Sequence, residues 1–299
     1  MHISVRPFLA IGLLCLSSCG TDIQSVRHAR LPPGVAGSTV VISDVRPAGD
    51  DVAAQAYEVP DHSMFLRQSS GASLAVGILF FGPIAAAANG AMINQATQDM
   101  GKAGAVSNLY RIDAMHEARA VFASHPLKTL TASSPRQIAL KPYINMYTPD
   151  DKSDIIIVAN LRAEFNVELD GKAKDFNATY SYVVDTALPS AALKGPLPNA
   201  DMEKLEGKIR SGYAELFTEI ANDVEDNPPS PRQVAQLSTM AYLTEPMTLG
   251  FGEVDHNSQG HLVFRSTRSD NYWGYLVMVF DNDSQYKFLK GPQARTSRN

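Results

Sequence analysis

Leu161-Arg162-Ala163-Glu164-Phe165-Asn166-Val167-Glu168-Leu169 alternates apolar and polar side chains without a break, and Asp170-Gly171 follows it directly. Successive side chains of a strand point to opposite faces, so a period of two describes a strand with one dry and one wet face. The alternation resumes in Lys174-Asp175-Phe176-Asn177-Ala178-Thr179-Tyr180-Ser181-Tyr182-Val183-Val184, where Phe176, Ala178, Tyr180, Tyr182 and Val184 share one face. An Asp-Gly pair between two such runs supplies the positive φ angles of a tight hairpin turn. The reading is a β-hairpin with Ile155 to Val158 as its buried entry and Gln137 to Tyr147 as a neighbouring strand.

A sheet with one apolar face needs a cover, and residues 201 to 224 provide one. Met202, Leu205, Ile209, Tyr213, Leu216, Phe217, Ile220 and Val224 recur at steps of three and four, the spacing of one helix face. Glu203, Lys204, Glu206, Lys208, Arg210 and Glu219 are expected on the wet side, with Asn199 or Asp201 as the cap and Asn227-Pro228-Pro229 as the stop. A second helix is expected from about Val106 to Ala123, with Leu109, Ile112, Met115 and Phe122 turned inward and Pro126 beyond its end. Ser38 to Ser43 is a β-branched run that predicts an early strand. The fold class is therefore α+β over residues 37–226, an antiparallel sheet covered by amphipathic helices.

Pro228-Pro229-Ser230-Pro231 marks the best boundary, and residues 232–291 form a β-rich C-terminal region. That region is either a small appendage or extra strands of the main sheet. Tyr272 to Phe280 is apolar on both faces, as in a buried strand, and Asp281 to Ser284 is expected to turn it back into Tyr286 to Leu289. Residues 292–299 are a polar tail.

Gln68 to Gln98 contains no charged side chain, and its Gly/Ala-rich centre predicts an apolar helical segment interrupted at Gly82-Pro83. Three roles compete for residues 72–98: a helical hairpin in the protein's own core, a membrane-contacting element, or a self-association surface. Phe80, Phe81, Ala86 and Gly90 are the candidate membrane or oligomer contacts, since small residues four apart let helices approach closely.

The N-terminus carries an address. His2 and Arg6 precede the run Phe8 to Leu16, which is far shorter than the roughly 20 residues of a spanning helix and reads as a secretory signal. Leu16-Ser17-Ser18-Cys19 resembles the lipobox of bacterial lipoproteins. That resemblance implies a diacylglyceryl group on the Cys19 thiol, cleavage after residue 18, acylation of the new amino group, and a tether over residues 19–36. Gly20, where an aspartate would signal inner-membrane retention, implies the outer membrane with the body facing the periplasm. The competing reading is ordinary secretion with cleavage after Gly20. The only other cysteine is Cys15, within the signal, so neither reading leaves a disulfide or a cysteine metal site in the body.

With 299 residues, 44% hydrophobic and a formal charge of -5, the chain is ordinary globular material without the basic footprint of a nucleic-acid binder. His116-Glu117 begins like a zinc-protease motif, but Ala120 stands where the second histidine belongs. Gly101-Lys102 lacks the flanking residues of a phosphate loop, and no nucleophile elbow is present. Glu253, Asp255, His256 and His261 cluster within or beside a Gly250 to Gly260 loop, which reads as an exposed polar turn sooner than as a metal site. No catalytic set, metal or cofactor is assigned. The expectation is a non-enzymatic, lipid-anchored envelope protein that binds an envelope protein partner or scaffolds it, with a homo-oligomer as one form. In outline it resembles the auxiliary lipoproteins of bacterial transport and secretion systems. The alternatives are a periplasmic hydrolase or metal-dependent enzyme, marked by a pocket joining His116, His256 or His261 to carboxylates, and a membrane-inserting oligomer built on residues 72–98.

Overall fold

The computed structural model describes residues 31, 35, 37–47, 56–68, 94–130, 136–148, 154–169, 172–225, 233–239, 247–267 and 275–293. The signal peptide, Cys19, most of the expected tether, and Phe80, Phe81, Ala86 and Gly90 lie outside the described residues. So does the 294–299 part of the tail.

The α+β fold is built on the predicted hairpin. Strand β5 (Asp154–Leu169) and strand β6 (Lys172–Pro189) pair antiparallel from Leu169↔Lys172 back to Asp154↔Pro189, with one slip between Ile156 and Val158. The register leaves two residues for the turn, as the Asp170-Gly171 pair requires. Ala163, Phe165, Ala178, Tyr180 and Tyr182 are buried on one face, whereas Arg162, Glu164 and Asn166 reach solvent from the other. Strand β4 (Gln137–Thr148) flanks β5, as expected.

The remaining strands extend this nucleus on both sides. Strands β1 (Thr39–Ile42) and β3 (Met64–Gln68) pair with successive halves of β4, and β2 (Tyr57–Val59) lies outside β3. On the other side come β10 (Tyr275–Phe280), β9 (Leu262–Thr267), β8 (Met247–His256), β7 (Gln233–Thr239) and β11 (Tyr286–Gln293), in that spatial order outward from β6. The C-terminal region therefore continues the main sheet, and β10 is buried on both faces as its sequence predicts.

Several expectations need correction. The sheet is mostly antiparallel, as expected, but it also holds parallel pairs, β1 and β3 with β4 and β10 with β6. Strand β11 does not fold back on β10; it crosses to pair with β7, so the turn at residues 281–285 redirects the chain. The folded body also begins before residue 37, since Val35 is in the core and Leu31 packs on it. Helix 106–123 is replaced by two 3-10 turns, Gly104–Val106 and Asn108–Arg111, and a later helix. Ser107 Oγ accepts from the Leu109 amide, and Asp113 Oδ1 accepts from Met115 and His116, so two capping side chains restart the chain. After the helical residues 94–103 (α1), these turns lead into α2 (Ala114–Ser124) and the single turn α3 (Leu127–Leu130).

The principal cover is α4 (Asn199–Val224). All eight apolar residues of its predicted face are buried. Its start has no side-chain cap; the Pro198 carbonyl accepts from the Asp201 and Met202 amides instead. Helix α2 packs beside it, and the buried Glu117 carboxylate of α2 pairs with Arg210 of α4. On the opposite sheet face a second apolar cluster joins Val158, Val183, Phe264, Met278 and Phe280.

Two glycines of α4 should respond oppositely to alanine. A Cβ on Gly212 would stand 2.6 Å from the Tyr182 ring, so this glycine lets a buried aromatic lie on the helix. Gly207 is exposed and faces open space. Gly207→Ala is expected to stabilise by about 0.5–1 kcal/mol and Gly212→Ala to destabilise by about 1–3 kcal/mol in urea unfolding. Equal signs for the two would show that the α4–β6 packing is wrong.

Candidate functional site

Among the described residues, buried charge is concentrated along the seam between α4 and strands β8 to β10, where the sequence places wet surface. Glu215, Glu219 and Asp223 are four residues apart, so helical geometry stacks them in one row beside the apolar face. On β9, Val263 and Arg265 share a face because they are two apart, and Val263 belongs to the core under α4. The strand pattern thus drives the Arg265 guanidinium into the helix.

Arg265 is fully buried and meets three carboxylates. Nη2 pairs with Glu219, Nη1 donates to Asp255 Oδ1 at 2.8 Å, and Nε lies 3.8 Å from Asp223 Oδ1. Tyr180 and Tyr275 donate their hydroxyls to the two oxygens of Asp223, at 3.0 and 3.2 Å. Glu253, also buried, is the register partner of Arg265 across β8. Burial raises the Glu219 carboxyl; Arg265 pulls it down, but Asp223 and Asp255 push it up again, to about 7. For Arg265 burial favours the neutral form, and Glu219 leads the groups that more than restore its charge. Burial first, then Asp223, holds the Tyr180 phenol well above its usual range.

One helical turn earlier, His261 lies between Glu215 and Asp281. Its Nδ1 is 2.8 Å from Glu215 Oε2 and its Nε2 is 2.9 Å from Asp281 Oδ1. Asn257 shapes the β8–β9 turn by accepting from the amides of Gln259 and His261, and donates to Glu215 at 2.9 Å. Gly260 completes that turn at φ +85°, which glycine adopts without steric cost.

This arrangement brings His261 to carboxylates, but both ring nitrogens are engaged. A general base needs a ring nitrogen open to the proton it takes. What the geometry shows is cohesion, the ring tying Glu215 of α4 to Asp281 just beyond β10. His256 is exposed at the end of β8 and His116 is exposed on α2, so neither joins His261. The expected Gly250 to Gly260 loop is strand through His256, and its expected exposed polar turn gives way to buried Glu253 and an Asp255 tied to Arg265. Among the described residues no three His, Cys, Asp or Glu side chains are placed to hold a metal ion. A cleft of about 720 Å³ lies elsewhere, in the turn-side half of the β5–β6 hairpin beside the start of β4, lined by Arg162, Glu164, Asp175 and Phe176 among others. Both Glu164 oxygens are taken there, by Arg162 at 2.9 Å and Lys141 at 2.7 Å.

Sequence reasoning missed Glu215, Glu219, Asp223 and Arg265 as a unit. Two signals were present: three carboxylates at a spacing of four along the border of an apolar helix face, and an arginine in phase with Val263 directly after the apolar run Leu262-Val263-Phe264. No family model, curated protein or solved structure matches this chain.

Proposed function

We propose that the protein is a lipid-anchored component of the bacterial envelope whose body serves as a non-enzymatic binding or scaffold module, of the kind used by auxiliary proteins of transport and secretion. One observation carries this reading, the sequence Leu16-Ser17-Ser18-Cys19 directly after a short basic and apolar prefix. Each buried methylene of an acyl chain contributes about 0.8 kcal/mol, and one chain alone holds only marginally, so several chains on Cys19 give stable attachment. No helix among the described residues is long and apolar enough to cross a membrane, and a lipid anchor asks for none. The scaffold reading is supported by a broad sheet whose buried ion pairs tie α4 to strands far away in sequence. The outer membrane is proposed from Gly20, with the body on the periplasmic side.

Membrane fractionation of wild type, Cys19→Ala and a variant lacking residues 72–98 tests the reading. Release of a folded body by Cys19→Ala alone is expected. Retention of that variant until residues 72–98 are also removed would overturn the lipid as sole anchor and favour the membrane-inserting oligomer.

A further inference from the structure

We infer that the corner between α2 and α3 is an acid-released latch: the neutral His125 ring ties the Leu127 amide to α4, and taking up a proton breaks that tie. The backbone of His125 already shapes the corner, its amide donating to the Phe122 carbonyl at 3.2 Å and its carbonyl accepting from the Lys128 amide at 3.1 Å. The ring adds a third bond. Nδ1 lies 3.2 Å from the Leu127 amide nitrogen, and an amide N–H can only donate, so Nδ1 presents its lone pair.

The other ring nitrogen fixes the same tautomer independently. Nε2 lies 3.3 Å from Thr218 Oγ on α4, whose single hydroxyl proton is directed to the Ala214 carbonyl at 3.0 Å. The threonine oxygen therefore accepts, and Nε2 carries the hydrogen. A further proton has only Nδ1 to occupy, where it would meet the Leu127 N–H. Leu127 has no exposed surface and belongs to the main core, and the His125 ring packs 5.6 Å from that of Phe217. Losing the bond thus loosens a piece of core.

Titratable groups on the elements around the ring turn to other partners or to water. On α4, Arg210 pairs with Glu117 of α2, Glu215 with His261, and Glu219 with Arg265, while Ala214, Phe217 and Thr218 face the ring. Arg119 of α2 pairs with Asp44, His116 and Lys128 are exposed, and β1, which α3 also touches, has no titratable side chain. Burial holds the ring below its ordinary 6.5, and the Ala214 carbonyl pulls the other way. A histidine kept neutral by folding contributes stability that is complete above its unfolded value and lost as pH falls through its folded value. The latch is therefore closed above 6.5 and opens on the acid side.

Nitrogen-15 spectra of the full chain at about pH 8 should show hydrogen on Nε2 of His125 alone; hydrogen on Nδ1 overturns the proposal. On acidification to about pH 4.5, exchange of the Leu127 and Lys128 amides, corrected for intrinsic rates and taken relative to β4 and β5, should quicken on the order of 10-fold, as for one lost hydrogen bond. Asparagine offers an acceptor to the amide two residues on and does not titrate, so His125→Asn should abolish the acceleration. Equal acceleration in that variant, or none in wild type, contradicts the latch. Should His125→Asn fail to fold, the wild-type ring decides: its own titration must coincide with the acceleration at Leu127, and separate midpoints overturn the proposal.

Discussion

Replacing Arg265 with methionine is expected to destabilise the protein by about 3–5 kcal/mol, because it removes the buried guanidinium that Glu219, Asp223 and Asp255 share. Methionine keeps much of the aliphatic volume, so little of this loss comes from a cavity. Glu219, Asp223 and Asp255 would then face one another across the seam, with the Tyr180 and Tyr275 hydroxyls still donating to Asp223. The deficit should shrink at acid pH, where protons replace the missing positive charge. Adding Glu219→Gln to Arg265→Met should recover part of it, since one uncompensated charge disappears. Urea unfolding of the two single variants and the double variant measures this directly. A loss below about 1 kcal/mol for Arg265→Met would mean that water reaches the seam and that the ion pairs are effectively on the surface.

Phe217→Ala should remove a similar amount, about 3–5 kcal/mol, by a different route. Phe217 has no exposed surface, and its ring lies 5.2 Å from that of Phe122 and 5.6 Å from that of His125. It therefore joins α4 to α2 and to the turn that follows α2. Deleting the ring leaves a void among elements whose backbones are fixed by the sheet, so relaxation can refill little of it. The expected sign of a local effect is lost amide protection in α2 before the β5–β6 hairpin is affected. A variant with wild-type stability would place Phe217 outside the core.

These effects separate what local sequence specifies from what it does not. The hairpin was legible because alternation and an Asp-Gly turn act within thirty residues, and each reinforces the other. The apolar face of α4 was legible because all eight of its members lie on one helix, whose geometry is known in advance. Glu219 was assigned to the wet side for the same reason that most glutamates are: an unpaired buried carboxylate is prohibitively unfavourable. Its partner lies 46 residues later, on β9, which joins the sheet through β10, and the parallel pairing of β10 with β6 is encoded by no local pattern. Strand β11 was misplaced by the opposite error. A polar turn after β10 suggested a hairpin, but both neighbours of β10 were already taken, by β6 and β9. In the α2 region the apolar spacing runs on past Ser107 and Asp113, and the capping bonds of those two side chains decide where the chain stops being helical.

The proposed anchor is tested most directly by intact-mass and fragment mass spectrometry of the mature N-terminus isolated from membranes. The expected species begins at Cys19, with a diacylglyceryl thioether on its sulfur and an acyl amide on its nitrogen. An unmodified chain beginning after Gly20, or one that retains residues 1–18, would contradict the lipid anchor and with it the envelope-scaffold assignment.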